Sequence, residues 1–332
     1  MSTIKEVAAL AGVSICTASR ALNNKDNIRP ETRKRILDAV RELDYRPNFS
    51  AQSLKHGRTN TLGLIVPDIT NPYYPKITKS IEEYAANHGY MLLLCDSNGQ
   101  IDKEKRIVES LKDRHVDGII ALPCSNDVEH IQSLGNAGVP YVFINRHFGD
   151  DLCSITTDNF YGGYTMVKYL IENGHRRISG IFPEFDNQIY EERFQGAQEA
   201  LREHGILEDN SRFFLFDVHS MRGAYDKITS LLADGTDRPT AVFCANDMLV
   251  MGVYGAVRDC NLKIREDISI AGYDDIPMAS MMTPPLTTFL QPEDEIAEKA
   301  INYLLELIDG GSPHTMECLR GKIIIRESVK KL

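Results

Sequence analysis

The sequence contains no tryptophan, and its seven cysteines among 332 residues form no Cys-x-x-Cys pair. An odd, scattered set of thiols excludes a disulfide framework and fits a reducing cytoplasm. The nine histidines are dispersed without ligand spacing, so no metal site is expected. There is no G-x-G-x-x-G, no Walker A, no G-x-S-x-G and no H-E-x-x-H. Their absence removes the common dinucleotide, nucleoside-triphosphate, hydrolase and zinc-protease readings. No enzymatic activity and no cofactor are expected. No apolar run is long enough to span a bilayer, and Lys5 and Glu6 interrupt the N-terminus before an apolar leader forms. The expectation is a cytoplasmic protein without a membrane partner.

Charge is present but uneven. The chain carries a formal net charge of -10. Residues 1–58 nevertheless hold eleven Lys and Arg against six Asp and Glu, a net of +5, which leaves -15 for the rest. A basic head on an acidic body fits a nucleic-acid-binding module joined to a separate sensor.

The head has a helix-turn-helix pattern. Thr3 and Glu6 have capping-box spacing. Ile4, Val7, Ala8 and Ala11 form one apolar face, and Gly12 ends that helix. Val13 serves as a staple and Ser14 caps a second helix. On the second helix Ala18, Ala21 and Leu22 point inward, leaving Ile15, Cys16, Thr17, Ser19 and Arg20 outside. Those outer side chains are placed to reach base edges in a major groove. Pro30 opens a third helix with Ile36, Leu37, Val40 and Leu43 on its core face. Tyr45-Arg46-Pro47-Asn48 follows, then a short segment from Phe49 to Gly57.

This pattern resembles the LacI/GalR family of bacterial transcription regulators. The Ala-Gly-Val-Ser run followed by Ser19-Arg20, the Tyr45-Arg46-Pro47-Asn48 segment and Ser53-Leu54-Lys55 all fit that headpiece. The resemblance extends to the C-terminus. It implies DNA contacts from Ser14, Ile15, Cys16, Thr17, Arg20, Asn23, Asn27, Thr32, Tyr45, Asn48, Ser53, Leu54 and Lys55. Arg20, the one long cationic donor on the outer face of the second helix, is expected to read a guanine. Ile15 is expected against a thymine methyl, with Cys16 adding only a weak polar contact. The segment around Asn48–His56 is too short for a stable isolated helix and is expected to fold on DNA, with Leu54 wedging into the minor groove. Gln52 stands where an arginine is common.

Past Thr61, short apolar runs alternate with amphipathic stretches. Leu62–Val66, Met91–Cys95, Gly118–Leu122 and Tyr141–Ile144 look like buried parallel strands. The rhythm restarts after Gly162 with strands at Ile178–Phe182, Phe213–Phe216, Ala241–Cys244 and Ile268–Gly272. Two successive β/α runs imply two doubly wound parallel sheets. The expected fold is α/β: a helix-turn-helix headpiece plus a two-lobed effector domain like the periplasmic binding proteins. The headpiece is set at 1–47, a hinge and linker at 48–60, and the effector-binding and dimerisation domain at 61–332. Its first lobe takes about 61–159 and 291–319, its second about 160–289 and 320–332. The family fold implies chain crossings near 158–162, 288–292 and 318–322.

Ligands in such folds lie beyond the carboxyl ends of the strands. The residues there are carboxylates, amides, two guanidinium groups and two aromatic rings, the mixture that binds sugar hydroxyls and C–H faces. Asn71, Asp158 and Asp247 also fit as helix caps. The resemblance implies an effector site from Asn71, Tyr73, Tyr74, Asn145, Arg146, Asp158, Arg193, Asn246, Asp247, Asp274 and Gln291. Asn145 stands where ribose binders have aspartate, and Val218 where many relatives carry a ring. Met278, Met281 and Met282 are taken as packing near a lobe or dimer surface.

The expected function is a sequence-specific DNA-binding regulator, a repressor controlled by a small effector, most simply a sugar. It would bind a pseudo-palindromic operator as a homodimer. Only four residues follow Ser328, too few for a tetramerising coiled coil. One alternative is a catabolite-control-type regulator with a protein co-effector. There, Asn302 and Glu306 occupy the positions of basic contacts on an acidic helix, which argues against a phosphoprotein. A periplasmic-type sugar-binding protein is the other alternative, and the intact headpiece argues against it.

Overall fold

The computed structural model describes residues 2–22, 28–45, 57–149, 151–183, 188–207, 214–233, 238–312 and 316–332. The chain divides into two compact units, Met1–Thr59 and Asn60–Leu332.

In the first unit α1 spans Ile4–Leu10, α2 Ile15–Leu22 and α3 Pro30–Glu42. The capping box forms: Thr3 N–H donates to Glu6 Oε2 at 2.6 Å, and Glu6 N–H donates to Thr3 Oγ1 at 3.4 Å. Gly12 takes φ +63 at the turn. Thr17 N–H donates to Ser14 Oγ at 3.1 Å, so Ser14 caps α2. Val7, Ala11, Ala21, Ile36 and Ala39 make the core, with Val13, Leu22, Val40, Leu43 and Tyr45 packed at its margin. A core this rich in alanine brings the three helices close together. One expectation fails: Leu37 is 39% exposed, and Ala39 takes the core position instead. With Ile36 and Val40 inward, Leu37 lies about 100° round the helix from Ile36.

The second unit holds two parallel sheets. The first runs β11-β5-β4-β3-β1-β2. Its strands are β1 Thr61–Val66, β2 Met91–Asp96, β3 Gly118–Ala121, β4 Tyr141–Ile144, β5 Ser154–Thr157 and β11 Met316–Leu319. The second runs β7-β6-β8-β9, with β6 Ile178–Ile181, β7 Phe214–Leu215, β8 Ala241–Cys244 and β9 Ser269–Ala271. The chain leaves the first sheet after β5 and enters the second through the helix Asn159–Glu172. It returns through β10 Thr288–Leu290 and the helix Glu293–Ile308. After β11 it turns back as β12 Lys322–Ile324, antiparallel to β10.

Most strands expected from apolar runs are present and buried. The second is not a buried strand: β2 is the sheet edge, and Met91 and Leu94 are exposed. An apolar run cannot tell an edge strand with one open face from a central one. β5, β10, β11 and β12 escape notice because they are short and carry Ser, Thr, Glu and Lys. Met278 and Met282 pack at the core margin, whereas Met281 is 80% exposed. Among the described residues no helix is long and apolar enough to cross a membrane.

Candidate functional sites in the two units

In the headpiece, α2 buries Ala18 and Ala21 and exposes Ile15, Cys16 and Arg20. Thr17 is half-buried, and its Oγ1 lies 2.8 Å from Ser14 Oγ. Two of the candidate contacts, Ser14 and Thr17, are therefore engaged in capping their own helix. Arg33, on α3, donates to the carbonyl of Ala21 at 3.4 Å and so ties α3 to the end of α2. Thr32 and Tyr45 are half-buried, Tyr45 against the core. Asn23, Asn27, Asn48, Ser53, Leu54 and Lys55 lie outside the described residues.

In the second unit the candidate effector residues fall into three groups. The innermost is a buried hydrogen-bonded chain. Thr157 Oγ1 donates to Gln291 Oε1 at 2.8 Å, and Gln291 Nε2 donates to Asp274 Oδ1 at 2.6 Å. The Asp274 carboxylate lies 3.6 Å from Arg193 Nη1. Arg193 also donates to Asn159 Oδ1 at 2.9 Å and to the Ala245 carbonyl at 2.6 Å. Its guanidinium stacks 3.6 Å from the Tyr273 ring centroid. Close backbone approach makes this arrangement fit: a Cβ on Gly163 would stand 2.0 Å from the Arg193 carbonyl oxygen. Asp274 and Asp275 have φ of +107 and +49, a strained turn of the kind that collects at functional sites.

A second group faces it from the first sheet. Asn71 Oδ1 accepts from Tyr73 N–H at 3.1 Å, and Tyr73 Oη donates to Asn145 Oδ1 at 2.8 Å. Asn145 sits at φ +72, which asparagine tolerates better than most residues. The Tyr73 and Tyr74 rings meet edge to face at 5.3 Å. Arg146 is buried and donates to Asn126 Oδ1 at 3.4 Å.

The third group is an open cleft of about 610 Å³ between the sheets. Asp68, Thr70, Asn71, Tyr74 and Asn98 line it on one side, and Tyr190, His219, Ser220, Asn246 and Met248 on the other. Its size suits a small-molecule site. Asn246 bridges the groups, donating to Tyr190 Oη at 3.3 Å while capping the helix Asp247–Asp259.

Two candidates are structural in this geometry. Asp247 is fully buried, and both its oxygens are used. Oδ1 accepts from Thr288 Oγ1 at 2.8 Å and Oδ2 from Ile276 N–H at 3.0 Å. Asn246, not Asp247, caps that helix. Asp158 is the cap of Asn159–Glu172, accepting from Tyr161 N–H at 2.8 Å, with Arg320 at 3.4 Å on its other oxygen. Val218 lies in the core and does not line the cleft. Sequence reasoning missed Asn98, Tyr190, His219, Ser220 and Tyr273 as site members. Asn98 and His219 follow strands β2 and β7, so the carboxyl-end rule applied to every strand would have found them.

Electrostatics single out three carboxylates. Burial pushes Asp274 up to about 6, with Arg193 and Gln291 pulling the other way. Burial pushes Glu293 up to about 7, opposed by Lys76, whose Nζ lies 2.8 Å from it. Asp247 is held well above the usual carboxylate range, by burial first and by the charge of Asp274 second. These carboxylates are buried behind the cleft and do not line it, and shifted protonation beside a cleft marks a binding-site candidate. Among the described residues no cluster of His, Cys, Asp and Glu is arranged to hold a metal ion.

Comparison with known proteins follows the same division. Residues 3–48 match the model for bacterial regulatory proteins of the lacI family. Residues 59–330 match that for periplasmic binding proteins and the sugar binding domain of the LacI family. The chain is 35% identical over 338 residues to the HTH-type transcriptional repressor PurR of Vibrio vulnificus (strain CMCP6), covering all of both chains. The transcriptional regulator CelR–cellobiose complex superposes with a TM-score of 0.74 at 30% identity, over 99% of this chain and 100% of that one. A LacI family transcriptional regulator from Enterococcus faecium with bound ribose gives a TM-score of 0.73 at 29% identity, over 82% of this chain and 99% of that one.

Proposed function

This chain belongs to the LacI family of bacterial regulatory proteins, and from that premise we propose that it is a transcriptional repressor whose affinity for its operator is set by a sugar. As a DNA-binding regulator controlled by a small molecule it acts on the chromosome, in the cytoplasm. The headpiece binds DNA through the outer face of α2, with Arg20 paired to a guanine and Ile15 against a thymine methyl. A homodimer sets two headpieces on a pseudo-palindromic operator. The relatives are transcription regulators, which are not enzymes.

One observation carries the sugar reading. The cleft is walled by amides, hydroxyls and two tyrosines, and behind it Arg193, Asp274 and Gln291 are already oriented by one another. Planar donors and acceptors fixed in advance lose little entropy when they take up a polyol, and the rings supply faces for its C–H groups. The bound cellobiose and ribose in the two structural neighbours support the same class of effector. Arg193 and Asp274 grip hydroxyls from one side while Asn71 and Tyr74 close from the other. Differential affinity for the open and closed cleft then supplies the switch.

A protein co-effector is disfavoured by charge. The helix Glu293–Ile308 begins with three acidic residues, and Asn302 and Glu306 on it are exposed. A phosphorylated partner would meet like charge.

Fluorescence anisotropy on an operator selected from random DNA, with and without a panel of mono- and disaccharides, tests the proposal. A sugar that changes operator affinity supports it. A panel without effect, alongside a shift from a purine or a phosphocarrier protein, would replace the sugar with that ligand.

A further inference from the structure

Beneath the first sheet's side of the cleft lies a buried polar cluster that no part of the effector site uses directly. Glu104, on the helix Ile101–Asp113, is fully buried. Its Oε1 lies 2.9 Å from His130 Nε2, and His130 has only 9% of its side chain exposed. Its Oε2 accepts from the backbone N–H of Cys124 at 2.9 Å. The Cys124 thiol rests against Glu104 and Ser97, and burial pushes it up to about 12. His130 Nδ1 is buried without a partner.

Such a cluster costs stability. A carboxylate has been removed from water, and a ring nitrogen is left unsatisfied. An apolar filling of the same space would avoid both costs. What the cluster supplies is geometry. Glu104 clamps the start of the loop after β3 at Cys124, two residues before Asn126. Asn126 Oδ1 receives the hydrogen bond from Arg146 at 3.4 Å. Ser97 carries the same influence to the next loop, because Asn98 and Gly99 line the cleft directly. The loops at the carboxyl ends of β2 and β3 are therefore referenced to one buried carboxylate.

We propose that Glu104 and His130 are positioning residues of the effector site, fixing the Cys124–Asn126 loop so that Asn126 holds Arg146 in its binding orientation. The proposal rests on the effector reading of the cleft, but its first test needs no ligand. Amide hydrogen exchange on the full-length protein compares wild type with His130→Ala, His130→Gln and Asn126→Ala. Glutamine restores a donor at the Nε2 position, whereas alanine removes it. In His130→Ala, exchange is expected to rise about tenfold or more at residues 122–126 and at 145–148, and to stay unchanged in the second sheet. His130→Gln should return both segments to wild type. Asn126→Ala should loosen 145–148 while Cys124 stays protected.

A rise confined to the helix Glu129–Asn136, or spread evenly over both sheets, would overturn the proposal in favour of plain packing. Should His130→Ala not fold, a 145–148 segment unmoved in Asn126→Ala overturns it equally. Thermal shift with ribose and with cellobiose then separates the two readings. If neither sugar stabilises wild type, the sugar reading fails while the exchange result stands. If one does, its shift should shrink in Asn126→Ala and persist in His130→Gln. A full shift in Asn126→Ala would show that the Asn126–Arg146 contact has no bearing on binding, and would overturn the proposal.

Discussion

In the headpiece, Ile15, Cys16 and Arg20 stand in solvent over a core built largely of alanine. In the body, Arg193, Asp274 and Gln291 are buried and bonded to one another. The difference follows from the partners. A DNA groove is reached from outside by long side chains on a rigid helix, and phosphates supply the attraction. A small effector has little surface, so its site must exclude water and be oriented in advance. The first design tolerates mobile side chains. The second accepts a desolvation penalty at Arg193 and Asp274 in exchange for order.

Substitutions that strike one unit and spare the other sharpen that contrast. The largest effect is expected for Arg193→Ala. It leaves Asp274 buried without its cation and should cost about 2–5 kcal/mol of effector affinity by calorimetry. Operator affinity without effector should stay near wild type. Unaltered effector affinity would mean that Arg193 only ties Asn159 and Ala245 together.

Leu54→Ala probes the link between the units. We expect a folded, effector-binding protein that loses roughly 100-fold in operator affinity and most of its DNA bending, a few kcal/mol being the scale of a wedged base step. Gel-shift phasing at matched salt measures both, and wild-type bending would remove the hinge from the account.

Arg20→Ala should cost about 1–3 kcal/mol per half-site and relax the selected sequence at one position. Uniformly weaker binding with unchanged sequence preference would assign Arg20 to a phosphate instead.

The smallest effect concerns acid. Asp274 titrates near 6. On the proposed reading effector hydroxyls would donate to its ionised form, so affinity should fall by up to about tenfold per pH unit below that value. Stability has the opposite sign. A raised carboxyl holds its proton more tightly folded than unfolded, so this contribution is full in acid and is lost as pH rises from about 4 through 6. Asp274→Asn should flatten both profiles in calorimetry and thermal melts. Glu293, near 7, leaves a residual slope in the melts.

The headpiece was largely legible in the sequence because its signals are local. Caps, Gly12, Pro30 and a helical apolar period each act within one or two turns. The alternation of strands and helices was legible for the same reason. The exposure of Leu37 and of Met91 and Leu94 on β2 was not, since strand order and helix facing are set by distant chain. Within the site, Asp274 and Gln291 follow strands, whereas Arg193 lies inside the helix Gln188–Glu203 and was legible only by its resemblance to a family position. Tyr273 beneath Arg193, and Tyr190 across the cleft from Tyr74, are brought there only by tertiary folding. Asp247 looked like a ligand or a cap, yet it is spent on Thr288 and Ile276.

A sugar held in the cleft of the body should control the exposed DNA-reading face of the headpiece. Operator affinity at fixed salt, titrated with the most stabilising sugar of the panel, tests it in wild type and Arg193→Ala side by side. Wild-type affinity should change by about tenfold or more, the scale of an ordinary allosteric coupling. Arg193→Ala should bind the operator like effector-free wild type at every sugar concentration. An equal response in both proteins, or none in wild type, would contradict it.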